Sequence, residues 1–284
     1  MSDPLFDLEA WLGRIDYAGP RAPDIETLRA VVAAHSATIP FENIDVLLGR
    51  PPKLDLGSVQ RKMVAGRRGG YCFEQNALLR AGLRALGFQA VGLIARVVRG
   101  MDPAAPRPPT HMVVQVDLPE GLFLADVGFG NLTPTAPLAR RPLVEQATPH
   151  GTVRLLPVGD ELVLQAKLGE AWENLWRLCA HLPVDADYEV GNWFTATHPD
   201  SPFVSNLVAA RPAADGVRHT FANGRLGTRW ADGRVAHRML ETEAEMREAL
   251  DRLFGLSVSA EELRAMLDVL ERNGRRGAEH RAFT

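Results

Sequence analysis

Apolar side chains return every three or four positions along "FDLEAWLGRI" and "IETLRAVVAAHS", the spacing that lays one stripe of a helix against a core. Pro40 stops the second helix, since proline has no amide to donate and its ring collides with the preceding turn. A third segment, "SVQRKMV", has Ser58 placed to cap its first turn. A fourth runs from the stretch "RRGGYCFEQN" to about Leu86, where Gly87 ends it. Residues 1–88 are therefore expected to form a helical bundle.

From Gln89 the pattern changes to short apolar and alternating runs: "AVGLIARVV", "THMVVQVDL", "GLFLADVGF", "TVRLLPV", "ELVLQAKL" and "ENLWRLC", parted by Pro, Gly and Asp turns. Strands in succession with no helix between them predict a compact barrel or sandwich, closing with the Pro-containing stretch "NWFTATHPDSPF" and spanning 89–205. Beyond it, Asn223-Gly224 and Asp232-Gly233 turns join three short strands into a meander. Two helices follow, each opened by a capping box, Thr242 with Glu245 and Ser259 with Glu262. Residues 206–284 thus make a third, mixed unit, and the fold class is α+β. Its end, "NGRRGAEHRAFT", has no apolar period and is expected to fray or lie on the surface.

Composition narrows the function classes. With 284 residues, 46% hydrophobic, 24% charged and a net charge of -3, the chain has the make-up of an ordinary globular protein. No basic patch suggests nucleic acid. The start, "MSDPLFDLEAWL", carries acids where a secretory signal carries basic residues, and no apolar run is long enough to cross a bilayer. A cytoplasmic protein is the expectation. Cys72 and Cys179 are the two cysteines, a count that fits a reducing compartment better than a disulfide framework and leaves one bridge open.

The chemistry centres on Cys72. It falls in the first turn of the fourth helix, on the face shared with Leu79, Leu83 and Leu86. Free amides and the positive end of a helix favour a thiolate, and Arg67 and Arg68 are expected to add positive charge beside it. Gly69 and Gly70 let the backbone turn sharply and approach a ligand closely. A lone cysteine is more often a buried small hydrophobe, and that reading holds for Cys179, which lies inside "NLWRLCAHL".

A nucleophilic thiol calls for a base and a group that orients the base. If "THMVVQVDL" and "GLFLADVGF" pair through a two-residue turn at Pro119-Glu120, Leu118 faces Gly121 and Asp126 faces Val113. His111 then shares Val113's face and is Asp126's diagonal neighbour. A three-residue loop would put them on opposite faces. Taken singly, His111 reads as a strand-end histidine and Asp126 as a turn residue; the pairing with Cys72 tips the balance to catalysis. His35 sits in a helix end, His150, His198 and His219 in turn-rich stretches, and His237 and His280 in the late segments. His181, beside Cys179, is the rival base. "DVGFG" reads as a bulge sooner than as a phosphate cradle, and no metal-ligand spacing is present.

"RRGGYCFEQN", "THM" and "ADVGFG", with "PFENID" and "NWFTATHPDSPF" in the same order, resemble the arylamine N-acetyltransferase family in its bacterial form. The resemblance implies a helical bundle, a β-barrel domain and an α/β lid, with a cysteine-protease-like Cys72-His111-Asp126 triad where the first two meet. It implies acetyl-CoA as co-substrate, with no metal and no tightly bound prosthetic group, and aromatic amines or hydrazines as acceptors in a ping-pong reaction through an acetyl-cysteine. By position, Phe41, Tyr71, Thr110, Phe129 and Phe203 match residues lining the acyl and acceptor pocket. Gly128 and Gly130, with Thr110 and Phe129, match the loop along the coenzyme's pantetheine arm. Scattered arginines such as Arg99, Arg107 and Arg229 read as solvent-facing. Small molecules are the expected partners, with no nucleic acid or membrane, for a monomer or homodimer. The competing functions are a polyketide amide synthase of the same family, a cysteine hydrolase of the papain or transglutaminase type, and a binding module in which Cys72 is incidental.

Overall fold

The computed structural model describes residues 6–213 and 216–282, with side chains through residue 273. The N-terminal helices are α1 (Leu8–Arg14), α2 (Ile25–Thr38), α3 (Ile44–Leu47), α4 (Leu56–Gln60) and α5 (Cys72–Ala85), of which the short α3 is an addition to the four that the sequence predicts. Aspartates start three of them, α1, α2 and α4. Asp7 accepts from the Ala10 amide at 2.9 Å and Asp24 from the Thr27 amide at 2.8 Å, each satisfying a donor the helix leaves free. Asp55, not Ser58, caps α4: its carboxylate accepts from the Ser58 amide at 2.9 Å. The wider turn Arg61–Ala65 continues α4, and Gly87, at a φ of 92°, closes the end of α5. Trp11, Leu28, Val31, Met63, Leu79 and Leu83 fill the core of this region against Val114 and Val116 of the neighbouring sheet.

That sheet contains β2 (Gln89–Val97), β3 (Pro109–Leu118), β4 (Gly121–Ala125), β5 (Leu138–Ala139), β6 (Gln146–Thr148), β7 (Gly151–Val158), β8 (Glu161–Leu168) and β9 (Ala171–Leu178). Its order is β5-β4-β3-β2-β9-β8-β7-β6, antiparallel throughout. The short strands β5 and β6 at its two ends meet: the Gln146 side chain accepts from the Ala139 amide at 2.7 Å and donates to its carbonyl at 2.9 Å. The sheet is a nearly closed barrel rather than a sandwich. Leu118 pairs with Gly121 and Val114 with Ala125, the register of a two-residue turn.

A helix stands where the sequence suggested only a Pro-containing connection. α6 (Asp185–Thr197) opens with Asp187 accepting from the Val184 amide at 2.8 Å and packs its Tyr188 and Asn192 side inward. The remaining sheet adds β10 (Val208–Pro212) to the expected meander of β11 (Arg218–Ala222), β12 (Arg225–Arg229) and β13 (Val235–Met239). Its outer member is β1 (Phe41–Glu42), a two-residue strand from the helical part of the chain that pairs with β10. The helices α7 (Glu243–Phe254) and α8 (Ala260–Ala282) cover this sheet. Thr242 and Glu245 cap α7 reciprocally, the Glu245 amide donating to the Thr242 hydroxyl and the Thr242 amide to the Glu245 carboxylate. Ser259 accepts from the Glu262 amide at 3.0 Å. The backbone is helical to Ala282, beyond the point where apolar periodicity stops; whether that end lies at the surface turns on side chains outside the described residues.

Candidate active site

Cys72 is the first residue of α5, buried and 5% exposed, and both cysteines are free thiols. Tyr71 precedes it as the cap position, with its amide donating to the Glu74 carboxylate at 3.1 Å. Glu74 is itself fully buried; burial pushes its carboxyl up and the ion pair with Lys62 at 2.8 Å opposes that, leaving it at about 7. The loop before α5 is fixed to β1: the Gly70 amide donates to the Pro40 carbonyl, and Glu42's amide to the Gly70 carbonyl at 3.1 Å.

Gly69 and Gly70 therefore serve packing inside the protein, not ligand approach. A Cβ at Gly69 would lie 2.2 Å from the Pro40 carbonyl oxygen, and one at Gly70 2.8 Å from the Glu74 carboxylate. The arginine pair, expected to add positive charge beside the thiol, divides between carboxylate partners and solvent. Arg68 reaches Glu42 at 3.1 Å and Glu262 at 3.5 Å, near Asp45 as well, so its guanidinium is spent on carboxylates that hold the loop in place. Arg67 is exposed.

His111, on β3, and Asp126, just past β4, come together as the two-residue turn requires. The His111 Nε2 lies 2.8 Å from Asp126 Oδ2, and His111 and Cys72 line the same cleft. The thiol also donates to the Thr110 carbonyl at 3.5 Å. Asp126 is held on both oxygens: Asn76 Nδ2 and the Gly128 amide donate to Oδ1 at 3.0 and 2.9 Å, and Trp176 Nε1 donates to Oδ2 at 3.0 Å. Burial raises a carboxyl's pKa, but the facing His111 and these donors outweigh it and hold Asp126 below the usual range. The reciprocal holds for His111: burial favours the neutral ring, and the charge and hydrogen bond of Asp126 overcome it, so its pKa is raised.

Asn76 and Trp176 were not visible as site residues. Asn76 lies one helical turn after Cys72 and so on the same face, a spacing that singles it out in retrospect; its side chain also donates to the Met112 carbonyl at 2.7 Å and accepts from the Val127 amide at 3.1 Å. Trp176 comes from β9, in no motif with the others, and stacks on the His111 ring at 6.2 Å.

Cys72 and His111 open into a cleft of about 420 Å³ where α5, the barrel, α6 and the β10–β11 edge meet. Phe41, Thr110, Gly128, Phe129, Gly130 and Phe203 all line it. Phe129 stands edge-on to His111 at 5.3 Å, and Phe41 tilts against Phe203 at 5.8 Å. Gly128 lies directly over the nucleophile's backbone: a Cβ there would sit 2.7 Å from the Cys72 Cα. Tyr71 is not a wall of the cleft. It is fully buried beside Phe203, with its hydroxyl on the Asn192 side-chain oxygen. Arg99 and Arg107, read as solvent-facing, are exposed and also line the cleft. The rival His181 is exposed, and the Cys179 thiol is buried and pushed up by burial. His219 lies within β11, not in a turn.

Among the described residues, no group of three or more His, Cys, Asp or Glu could hold a metal ion, and no helix is long and apolar enough to cross a membrane.

The sequence model of the N-acetyltransferase family matches residues 24–263. The arylamine N-acetyltransferase of Escherichia coli (strain K12) is 41% identical over 252 residues, covering 88% of this chain and 89% of that protein. A Salmonella typhimurium protein named arylamine N-acetyltransferase / N-hydroxyarylamine O-acetyltransferase is 36% identical, covering 89% of both. The solved structure of Mycobacterium marinum arylamine N-acetyltransferase in complex with CoA superposes with a TM-score of 0.88 at 38% identity, over 93% of this chain and 99% of that one.

Proposed function

This chain belongs to the arylamine N-acetyltransferase family, and from that premise we propose that it moves an acetyl group from acetyl-CoA to an aromatic amine or hydrazine in two steps, through an acetyl-cysteine on Cys72. The observation that carries the mechanism is the arrangement of His111: one ring nitrogen is committed to the carboxylate of Asp126, and the ring shares an aromatic-lined cleft with the Cys72 thiol.

In the first step the imidazolium that Asp126 stabilises holds the thiol proton, and the Cys72 sulfur attacks the thioester carbonyl of acetyl-CoA. The carbon–sulfur bond to the coenzyme breaks, and His111 returns the proton to the departing thiolate. The amides of Cys72 and Phe73, at the start of α5, are the proposed donors to the oxygen that becomes negative. In the second step the amine attacks the acetyl-cysteine, His111 takes the amine's proton, and the Cys72 sulfur leaves. Exchange of one thioester for another is nearly neutral, so formation of the amide drives the cycle. Phe41, Phe129 and Phe203 form the aromatic wall for the acceptor and keep water from the acyl group. Gly128, Phe129 and Gly130 give the pantetheine arm a path past Thr110. A cytoplasmic location would give the protein its acetyl-CoA.

The test is the intact mass of the protein shortly after mixing with acetyl-CoA alone. One acetyl group on the parent, none on Cys72→Ala, and discharge by an added arylamine are expected. Absence of the adduct from the parent would overturn the two-step reading, and loss of the acetyl group to water as fast as to amine would turn it into a hydrolase.

A further inference from the structure

A second cavity, of about 270 Å³, lies between β7–β8 of the barrel and β11–β12 of the other sheet. Arg218 and Arg229 both line it and are direct partners across β11 and β12. Like charges placed opposite one another on a sheet repel. Here one of the two is also removed from water, for Arg218 is 5% exposed. Its Nη2 donates to the Thr133 carbonyl at 2.7 Å and to the His150 carbonyl at 3.5 Å, but its Nε and Nη1 are buried with no hydrogen-bond partner among the described residues. Burial, and then the charge of Arg229, push Arg218 down to about 9.

Among the described residues, the neighbours do not supply the missing acceptor. Asp232 is the acid among the lining residues, and it pairs with Arg234 at 2.6 Å. His150 also lines the cavity, yet its Nε2 faces the carbonyls of Ala213 and Val217 at 2.9 and 3.1 Å. Carbonyls only accept, so that nitrogen donates, and the ring holds the segment leading into β11. Lys167, a further lining cation, meets Glu145 at 3.5 Å. Asp215, the acid closest to Arg218 in sequence, lies outside the described residues. A buried guanidinium with unused donors, beside a second arginine and an open volume, needs negative charge brought to it.

We propose that this cavity binds a tetrahedral oxyanion of the phosphate class, held by the unused Nε and Nη1 of Arg218 and the guanidinium of Arg229. Charge-assisted hydrogen bonds to phosphate oxygens are the interaction arginine makes best. The inference is independent of the reading of the catalytic cleft, although the two sites adjoin: Asn131 lines the cleft and Leu132 the cavity. The anion is thus either free phosphate or a phosphate group on a molecule that reaches across from the cleft.

The experiment is titration of the full-length protein with inorganic phosphate, followed by phosphorus NMR line width and by Tm, against chloride at matched ionic strength. A saturable response to phosphate alone is expected. Arg218→Met, which replaces the unpaired charge with an apolar chain, should abolish it. Arg229→Gln, at a less buried position, should weaken it about tenfold and serves if the first variant does not fold. Equal responses to phosphate and chloride in the parent, or a parental response in Arg229→Gln, would overturn the site. CoA then separates the sources: phosphate that raises the apparent Kd of CoA in the parent but not in Arg229→Gln identifies a coenzyme phosphate, and CoA binding indifferent to phosphate identifies the free anion.

Discussion

Two buried histidines, one in the helical core and one in the cleft, have nearly the same surroundings by the usual measures. His35 is fully buried and His111 is 2% exposed, and each has its Nε2 2.8 Å from a side-chain oxygen. The oxygen differs. Gln75 presents a neutral amide to His35, its own nitrogen fixed by the Pro40 carbonyl at 2.8 Å, and burial pushes His35 down to about 4. Asp126 presents a carboxylate to His111, whose pKa is raised. A hydrogen bond of the same length serves both, so the charge of the acceptor, not the bond, decides which ring carries a proton at neutral pH.

Asp126→Asn is the strongest way to break that contrast, because it gives His111 the amide partner that His35 has. The rate of acetyl-enzyme formation, followed by quenched-flow mass measurement, is expected to fall about 10⁴-fold, the scale of converting a triad carboxylate to an amide. A near-parental rate would mean that the charge of Asp126 is not what tunes His111.

A milder change is Trp176→Phe, which removes one donor to Asp126 and keeps an aromatic ring beside His111. A hydrogen bond to a charged group contributes roughly 1.5–3 kcal/mol, so acetylation should slow about 10- to 100-fold. The donors on Asn76 and Gly128 remain, and an effect as large as that of Asp126→Asn would show that the indole has a further role.

The smallest effect on turnover is expected at the other histidine. His35→Gln should leave transfer at neutral pH unchanged but alter stability in acid. The unfolded chain protonates His35 near its ordinary value of 6.5, while the folded protein resists to about 4. Stability from this residue is therefore complete above pH 6.5 and is lost as pH falls toward 4, by up to roughly 3 kcal/mol. Urea unfolding across that range should show a shallower decline in the variant; an unchanged slope would place the acid sensitivity elsewhere.

The pairing at the heart of the site was legible because it rests on arithmetic: a two-residue turn after Leu118 and a side-chain period of two bring His111 to Asp126. What surrounds the pair was not. Asn76, Trp176 and the Gly128 amide reach Asp126 from three separate elements, and no local pattern links them. The helix α6 was hidden for a different reason. Its inward side carries Tyr188, Asn192 and Thr195, whereas Val190 and Trp193 are 65% and 60% exposed, so its amphipathic pattern runs opposite to the usual one. The arginine doublet misled because adjacency in sequence says nothing of direction: Arg68 turns to Glu42 and Glu262. Tyr71, chosen by position in a motif, faces Asn192 behind the cleft wall.

The two residues of β1 have a consequence for how the chain is assembled. Phe41 pairs with Ala210 and Glu42 with Ala209, so a segment made early in synthesis seals the rim of a sheet whose other strands emerge much later. Loop closure over such a separation is slow relative to local pairing. Until it occurs, β10 offers unpaired amides and carbonyls to any passing strand. The last third of the molecule, cut away and expressed by itself, would keep that open rim and self-associate through it, which makes the N-terminal segment an intramolecular guard against aggregation as well as part of the catalytic cleft.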